Sequence, residues 1–169
     1  MIPYPTGHGG ARQGRARLGT ARQGEARQRS YARDSYGYGN VYQVNNYKHP
    51  FDGYAGEPVM LFDEFCGSFR IQDMNNYLDG YPLMLPARYT NKQACYEVVF
   101  IISNLSLWEQ YQHERIYQRS VWDAFIRRIH KVIRFLPNGT RRGYATRDYL
   151  AGAAWAYAPD SEEQEAPHE

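Results

Sequence analysis

Two short runs of bulky apolar residues, VMLF (Val59 to Phe62) and VVFIIS (Val98 to Ser103), most constrain what this chain can fold into. Neither run alternates with polar residues, so both faces of each must be covered. Strands covered on both faces belong to parallel sheets flanked by helices. Each run stops abruptly at polar residues: Asp63 and Glu64 after the first, Ser103 and Asn104 after the second. A buried, unpaired charge is costly, so acids directly after a core strand need a cleft or a partner. In open α/β sheets such a cleft lies beyond the carboxyl ends of the strands.

The intervening sequence supports an α/β reading. NVYQV (Asn40 to Val44) is a short β-rich run, and KHPFDGYAGEP (Lys48 to Pro58) is a loop punctuated by Pro and Gly. RIQDMNNYLDG (Arg70 to Gly80) puts Ile71, Met74 and Leu78 on one helical face and ends on a capping glycine. YPLMLPARYTNKQACYE (Tyr81 to Glu97) predicts two extended arms around a polar turn near Thr90, Asn91 and Lys92. SVWDAFIRRIH (Ser120 to His130) predicts an amphipathic helix with Ser120 as its N-cap. KVIRFL (Lys131 to Leu136) reads as a third strand, ended by the Pro137-Asn138-Gly139 turn. DYLAGAAWAYA (Asp148 to Ala158) is a weak terminal helix.

Composition divides the chain into three parts. Residues 1–35 are an Arg/Gly-rich, low-complexity arm expected to be disordered, residues 36–140 a folded domain, and residues 141–169 a C-terminal tail with an acidic end. A basic arm of this kind suits phosphate contacts with nucleic acid, and an out-of-frame or truncated start produces the same composition. Sixteen tyrosines suit either an aromatic core or base stacking. With two cysteines, Cys66 and Cys95, a disulfide scaffold is excluded and a reducing compartment is expected. Neither they nor the five histidines have metal-ligand spacing. No apolar run reaches membrane-spanning length and none resembles a secretion signal, so a cytoplasmic protein without membrane contact is expected. Trp108 and Trp122 read as core.

VMLFDEF, then the hairpin region YPLMLPARYTNKQA, then VVFIISN together resemble the Walker B, B′ and C motifs of superfamily 3 helicases. The resemblance is strongest to the replication initiator (Rep) proteins of rolling-circle plasmids and circoviruses. FDGYAGEPVMLFDEF and AFIRRIHKVI are similar to the segments around those motifs, and the likeness runs from about Tyr36 to Leu136. It implies a P-loop NTPase core, AAA+-like, with a mostly parallel sheet, and ATP-dependent unwinding of nucleic acid by a homo-oligomeric ring. By the same resemblance, Asp63 holds Mg²⁺ through the nucleotide and Glu64 polarises the attacking water. Asn104 is the motif C sensor. Lys92, helped by Arg88, tracks single-stranded nucleic acid, DNA in preference to RNA. Arg127 or Arg128, at most one of them, is the arginine finger reaching a neighbouring subunit's ATP. The bland alternatives are a solvated turn residue for Lys92 and the wet face of a helix for the two arginines.

One part of the pattern is missing. A P-loop, GxxxxGK[ST] between a strand and a helix, should precede YGYGNVYQV. The nearest stretch, QGEARQRS (Gln23 to Ser30), has Gln23 and Gln28 at the glycine positions and Arg29 at the lysine position. The His-hydrophobe-His endonuclease motif of full-length initiators is absent as well. The domain is therefore expected to be incomplete at its N-terminus, with ATP binding impaired. Two alternatives follow: a non-catalytic nucleic-acid-binding module, or an inactive frameshifted or truncated product.

Overall fold

The computed structural model describes residues 26–136 and 138–156. It is an α/β structure around a three-stranded parallel sheet of order β1-β2-β5, formed by β1 (Val41–Val44), β2 (Val59–Phe62) and β5 (Val98–Ile101). The register pairs Val41 with Val59 and Phe62 with Ile101. All four residues of the central strand β2 are buried, as its unbroken apolar sequence requires.

Side chains alternate across that strand and define two layers. Met60 and Phe62 face the larger core. There they join α2 (Ile71–Tyr77) through Ile71 and Met74, and α4 (Arg119–Arg128) through Trp122 and Phe125. Phe51, Phe69 and Tyr77 close edge-on and stacked around Phe62 and Phe65, so much of the aromatic content is core. Leu61 faces the other way and packs with Ile102 and Ala32.

Ala32 belongs to helix α1, residues 26–36, within the stretch expected to be a disordered arm. The helix forms because the twelve residues between Gly24 and Gly37 contain neither Gly nor Pro. It ends at Gly37, whose φ of +86° closes the last turn with an amide bond to the Arg33 carbonyl at 2.7 Å. Small Ala32 lets it lie close to the sheet, while Tyr31 and Tyr36 meet Phe100 edge-on. Residues 1–25 of the expected arm, Gln23 among them, and residues 157–169 of the tail lie outside the described residues.

The expected third strand is present but lies outside the parallel sheet. β6 (Lys131–Phe135) does not join the parallel sheet; it pairs antiparallel with β7 (Arg141–Ala145) in a separate hairpin. The turn between them is tight, with Leu136 N bonded to Thr140 O at 2.8 Å and Gly139 at φ +85°. β7 has mostly exposed residues and no apolar alternation, so its sequence carries no strand signal. The hairpin packs on α1 through Phe135 against Tyr31. α5 (Thr146–Ala156) is the anticipated terminal helix. α4 begins at Arg119, so Ser120 lies inside the helix and does not cap it. A short α3 (Gln112–Tyr117) was not anticipated.

β5 is the outer strand of its sheet. Among the described residues no strand pairs with its far side, where a cavity of about 440 Å³ is lined by Tyr31, Tyr36, Val99, Ile101, Ile129 and Ile133. No described helix is long and apolar enough to cross a membrane.

Candidate functional site

The parallel ladder continues one step past the strands. Asp63 N bonds Val44 O at 3.0 Å, and Ile102 N bonds Phe62 O at 2.8 Å. Asp63 and Glu64 therefore sit at the carboxyl end of β2, beside the Ile102-Ser103-Asn104 segment leaving β5. Asp63 is 3% exposed, whereas Glu64 is exposed and has a φ of +50°. That left-handed conformation is uncommon for a residue with a Cβ. It returns the chain inward at once, with Phe65 fully buried and its amide on Ile102 O at 2.7 Å, and leaves the Glu64 side chain outside.

The two polar residues after β5 also divide. Ser103 is buried and its Oγ accepts from Gln110 Nε2 at 2.7 Å and from Leu105 N at 3.0 Å. Asn104 is exposed at the rim. Ser103 thus fixes the loop, and Asn104 is the residue presented at the lip.

The surroundings of Asp63 differ from a bare acid pair. Oδ2 of Asp63 receives Arg29 Nη1 at 2.9 Å and the Gln43 amide at 2.5 Å. Gln43 in turn accepts from Arg33. Arg29 and Arg33 are one turn apart on α1, so the helix is tied to the sheet by charge as well as by Ala32. The Tyr47 hydroxyl donates to the Asp63 carbonyl at 2.6 Å. Burial, and then the nearby Asp63 charge, push that phenol well above its ordinary value, which keeps it protonated as a donor. Oδ1 of Asp63 is buried with no partner among the described residues, and so are both polar atoms of Gln28.

The lysine-like position of the sequence pattern, Arg29, is therefore on Asp63. This was not read from the sequence, where Arg29 counted only as a departure. The residues fit a Mg²⁺-nucleotide poorly. A guanidinium already neutralises the acid expected to face the metal, and Gln28, where the pattern wants glycine, is buried. No group of three or more His, Cys, Asp or Glu able to hold a metal occurs among the described residues.

The hairpin is present and small. β3 (Met84–Leu85) pairs antiparallel with β4 (Lys92–Gln93), and Lys92 lies opposite Leu85 in the strand, not at the tip. Arg88, in the turn, is anchored: its Nε reaches Asp52 Oδ2 at 2.5 Å and its amide reaches Oδ1 at 3.0 Å. Tyr89 beside it is 90% exposed, with the Arg88 guanidinium 5.8 Å from its ring centre. Tyr89 was missed in the sequence, although an aromatic next to a basic residue in a polar turn is a usable signal for stacking.

The two candidate finger arginines separate. Arg127 is exposed. Arg128 is half-buried, paired with Asp79 at 2.5 Å and bonded to Ala124 O at 2.8 Å. Trp122 is buried and Trp108 partly so, both against the core.

No protein-family model matches this chain, and no curated protein matches it.

Proposed function

We propose that this chain is a partial superfamily 3 helicase domain of a rolling-circle replication initiator, with a P-loop NTPase type of fold and impaired ATP turnover. The observation that carries the reading is the placement of Asp63 and Glu64 beside Asn104, at the carboxyl ends of adjacent parallel strands. An antiparallel hairpin bearing Lys92 lies between those strands in sequence. The motifs of that family need this order and this adjacency. ATP-dependent unwinding in a homo-oligomeric ring is the family activity. The described residues offer no phosphate cradle, with Arg29 on Asp63 and Gln28 buried.

A second reading is favoured by the Arg29–Asp63 pair: a non-catalytic module that keeps only nucleic-acid contact. Lys92 supplies charge and Tyr89 a face on which bases stack, so single-stranded DNA or RNA is the partner of either reading.

The test uses the purified full chain. Mg²⁺-dependent ATP turnover is expected at background and unchanged in Glu64→Gln. Single-strand binding is expected to persist at low salt and weaken as salt rises, because phosphate contacts release counterions. Turnover that Glu64→Gln abolishes would overturn the impairment. Absence of binding at every salt concentration would overturn the nucleic-acid assignment in both readings.

A further inference from the structure

We infer that the β6–β7 hairpin, with Arg27 of α1 beside its turn, is a second nucleic-acid surface that grips phosphates, separate from the β3–β4 hairpin that bears Lys92. The inference deepens the nucleic-acid assignment above and rests on it; it takes nothing from the ATPase pattern.

Charge is segregated here to a degree that the chain's net charge of +2 conceals. Between Asp123 and Asp148 the sequence has seven Arg and Lys residues and no Asp or Glu. Among the described residues, Arg128 alone of the seven has an acidic partner. Lys131, Arg141, Arg142 and Arg147 are exposed, and Arg134 is half-buried.

The register puts two of these charges face to face: Arg134 on β6 is directly opposite Arg142 on β7. Like charges in such a pair destabilise a sheet. Edge strands do carry charge against unwanted pairing. A Glu opposite an Arg would give that protection and stabilise the pair as well, so protection does not account for a single sign. A bound polyanion does, because it relieves the repulsion that the free hairpin carries.

The other face of the hairpin is positioned too. The Arg141 guanidinium lies 4.7 Å from the Tyr31 ring centre, which fixes it in place without neutralising it. Gly143 lets Lys131 lie across the hairpin, since a Cβ there would stand 2.8 Å from Lys131 Cε. Arg27 rests against the turn, its Nη1 3.4 Å from where a Cβ on Gly139 would be. The groove between α1 and the turn, about 630 Å³, is lined by Arg27, Ser30, Tyr31, Asp34, Thr140 and Arg141. Guanidinium and hydroxyl donors are usual partners of phosphate oxygens. Asp34 is the one acid in that lining, against two arginines.

Aromatic rings favour nucleic acid over acidic protein or a membrane surface. Tyr36 is 42% exposed and lines one cavity with Lys131. Tyr38 is 68% exposed, with the Arg33 guanidinium 5.3 Å from its ring centre. Exposed rings among guanidinium groups give bases a stacking face. Asn138, Gly139 and Thr140 at the turn carry no bulky apolar side chain to enter a bilayer.

The probe is a labelled oligothymidylate, bound to the full chain over a range of salt and followed by fluorescence anisotropy. Melting is followed by circular dichroism. Arg134→Gln combined with Arg142→Gln should lower the magnitude of the slope of log affinity against log salt by about 1.4, two phosphate contacts on a single strand. Without the oligonucleotide the same variant should melt above wild type, because the repulsion is gone. Arg142→Glu, which gives Arg134 an acidic partner, should also melt higher and bind more weakly still. Weaker binding by a more stable chain is not a failure to fold.

Lys92→Ala separates the two surfaces, and its effect on the slope should add to that of the double variant. An unchanged slope in the double variant, with a lowered slope in Lys92→Ala, overturns this inference and leaves the nucleic-acid assignment standing. A double variant that melts below wild type shows no repulsion between the two arginines and overturns it as well. Poly-glutamate bound as tightly as the oligothymidylate, and released by the same substitutions, would make the face a site for acidic protein instead.

Discussion

Asp52 and Arg88 are joined by both the side chain and the backbone amide of the arginine, which ties the β3–β4 turn to the loop before β2. The amide and then the guanidinium of Arg88 hold the Asp52 carboxyl below its ordinary value of 3.8. A carboxyl whose folded value is depressed contributes fully above its unfolded value and loses that contribution as pH falls through the folded one. The hairpin is therefore expected to loosen on acidification below about pH 4. Amide exchange at Lys92 and Gln93, followed against pH, checks this. In Asp52→Asn that acid-induced step should vanish.

Lys92 and Tyr89 make different contributions to single-strand binding. Lys92→Ala should lower the magnitude of the slope of log affinity against log salt by about 0.7, one phosphate contact on a single strand. Tyr89→Ala should leave the slope alone and cost about 1–3 kcal/mol of binding, as lost stacking does. Equal slopes for wild type and Lys92→Ala would show that this lysine touches no phosphate.

Arg128 and Asp79 pair across α4 and the end of α2, both about seven-tenths covered. Truncating either one leaves a half-buried charge without its partner. Arg128→Ala and Asp79→Ala are each expected to lower stability by about 1–3 kcal/mol. The double substitution should cost less than their sum. Urea unfolding measures all three. Full additivity would show the pair to be uncoupled and leave Arg128 free to act on a neighbouring subunit.

Tyr47→Phe removes one hydroxyl that donates to the Asp63 carbonyl and is expected to cost about 0.5–1.5 kcal/mol of unfolding free energy. With the phenol held protonated by burial, Tyr47 is expected to ionise only well above the ordinary tyrosine value in an alkaline titration.

The parallel sheet was legible because β2 and β5 are apolar on both faces, a pattern that helices on both sides explain and little else does. Asp63, Glu64 and Asn104 were legible for the same reason, as polar residues where such strands end. α1 was not, because its apolar interface with the sheet is one alanine and two tyrosine rings, while the rest of its sequence looks like the low-complexity stretch before it. β7 was hidden because a hairpin partner is specified by the turn at Asn138 and Gly139 more than by its own residues. The contact between Arg29 and Asp63 spans thirty-four residues and follows only from the docking of α1. Local sequence could not disclose it.

Among the described residues, no strand pairs with the outer side of β5, and this bears on how chains meet in solution. Val98 N and Ile102 N bond back toward β2, so the alternate residues Val99 and Ile101 turn their backbone groups outward. An unpaired parallel rung flanked by apolar side chains is adhesive toward extended backbone of any origin. Melting temperature followed against protein concentration is the measurement that reports pairing of this edge between chains.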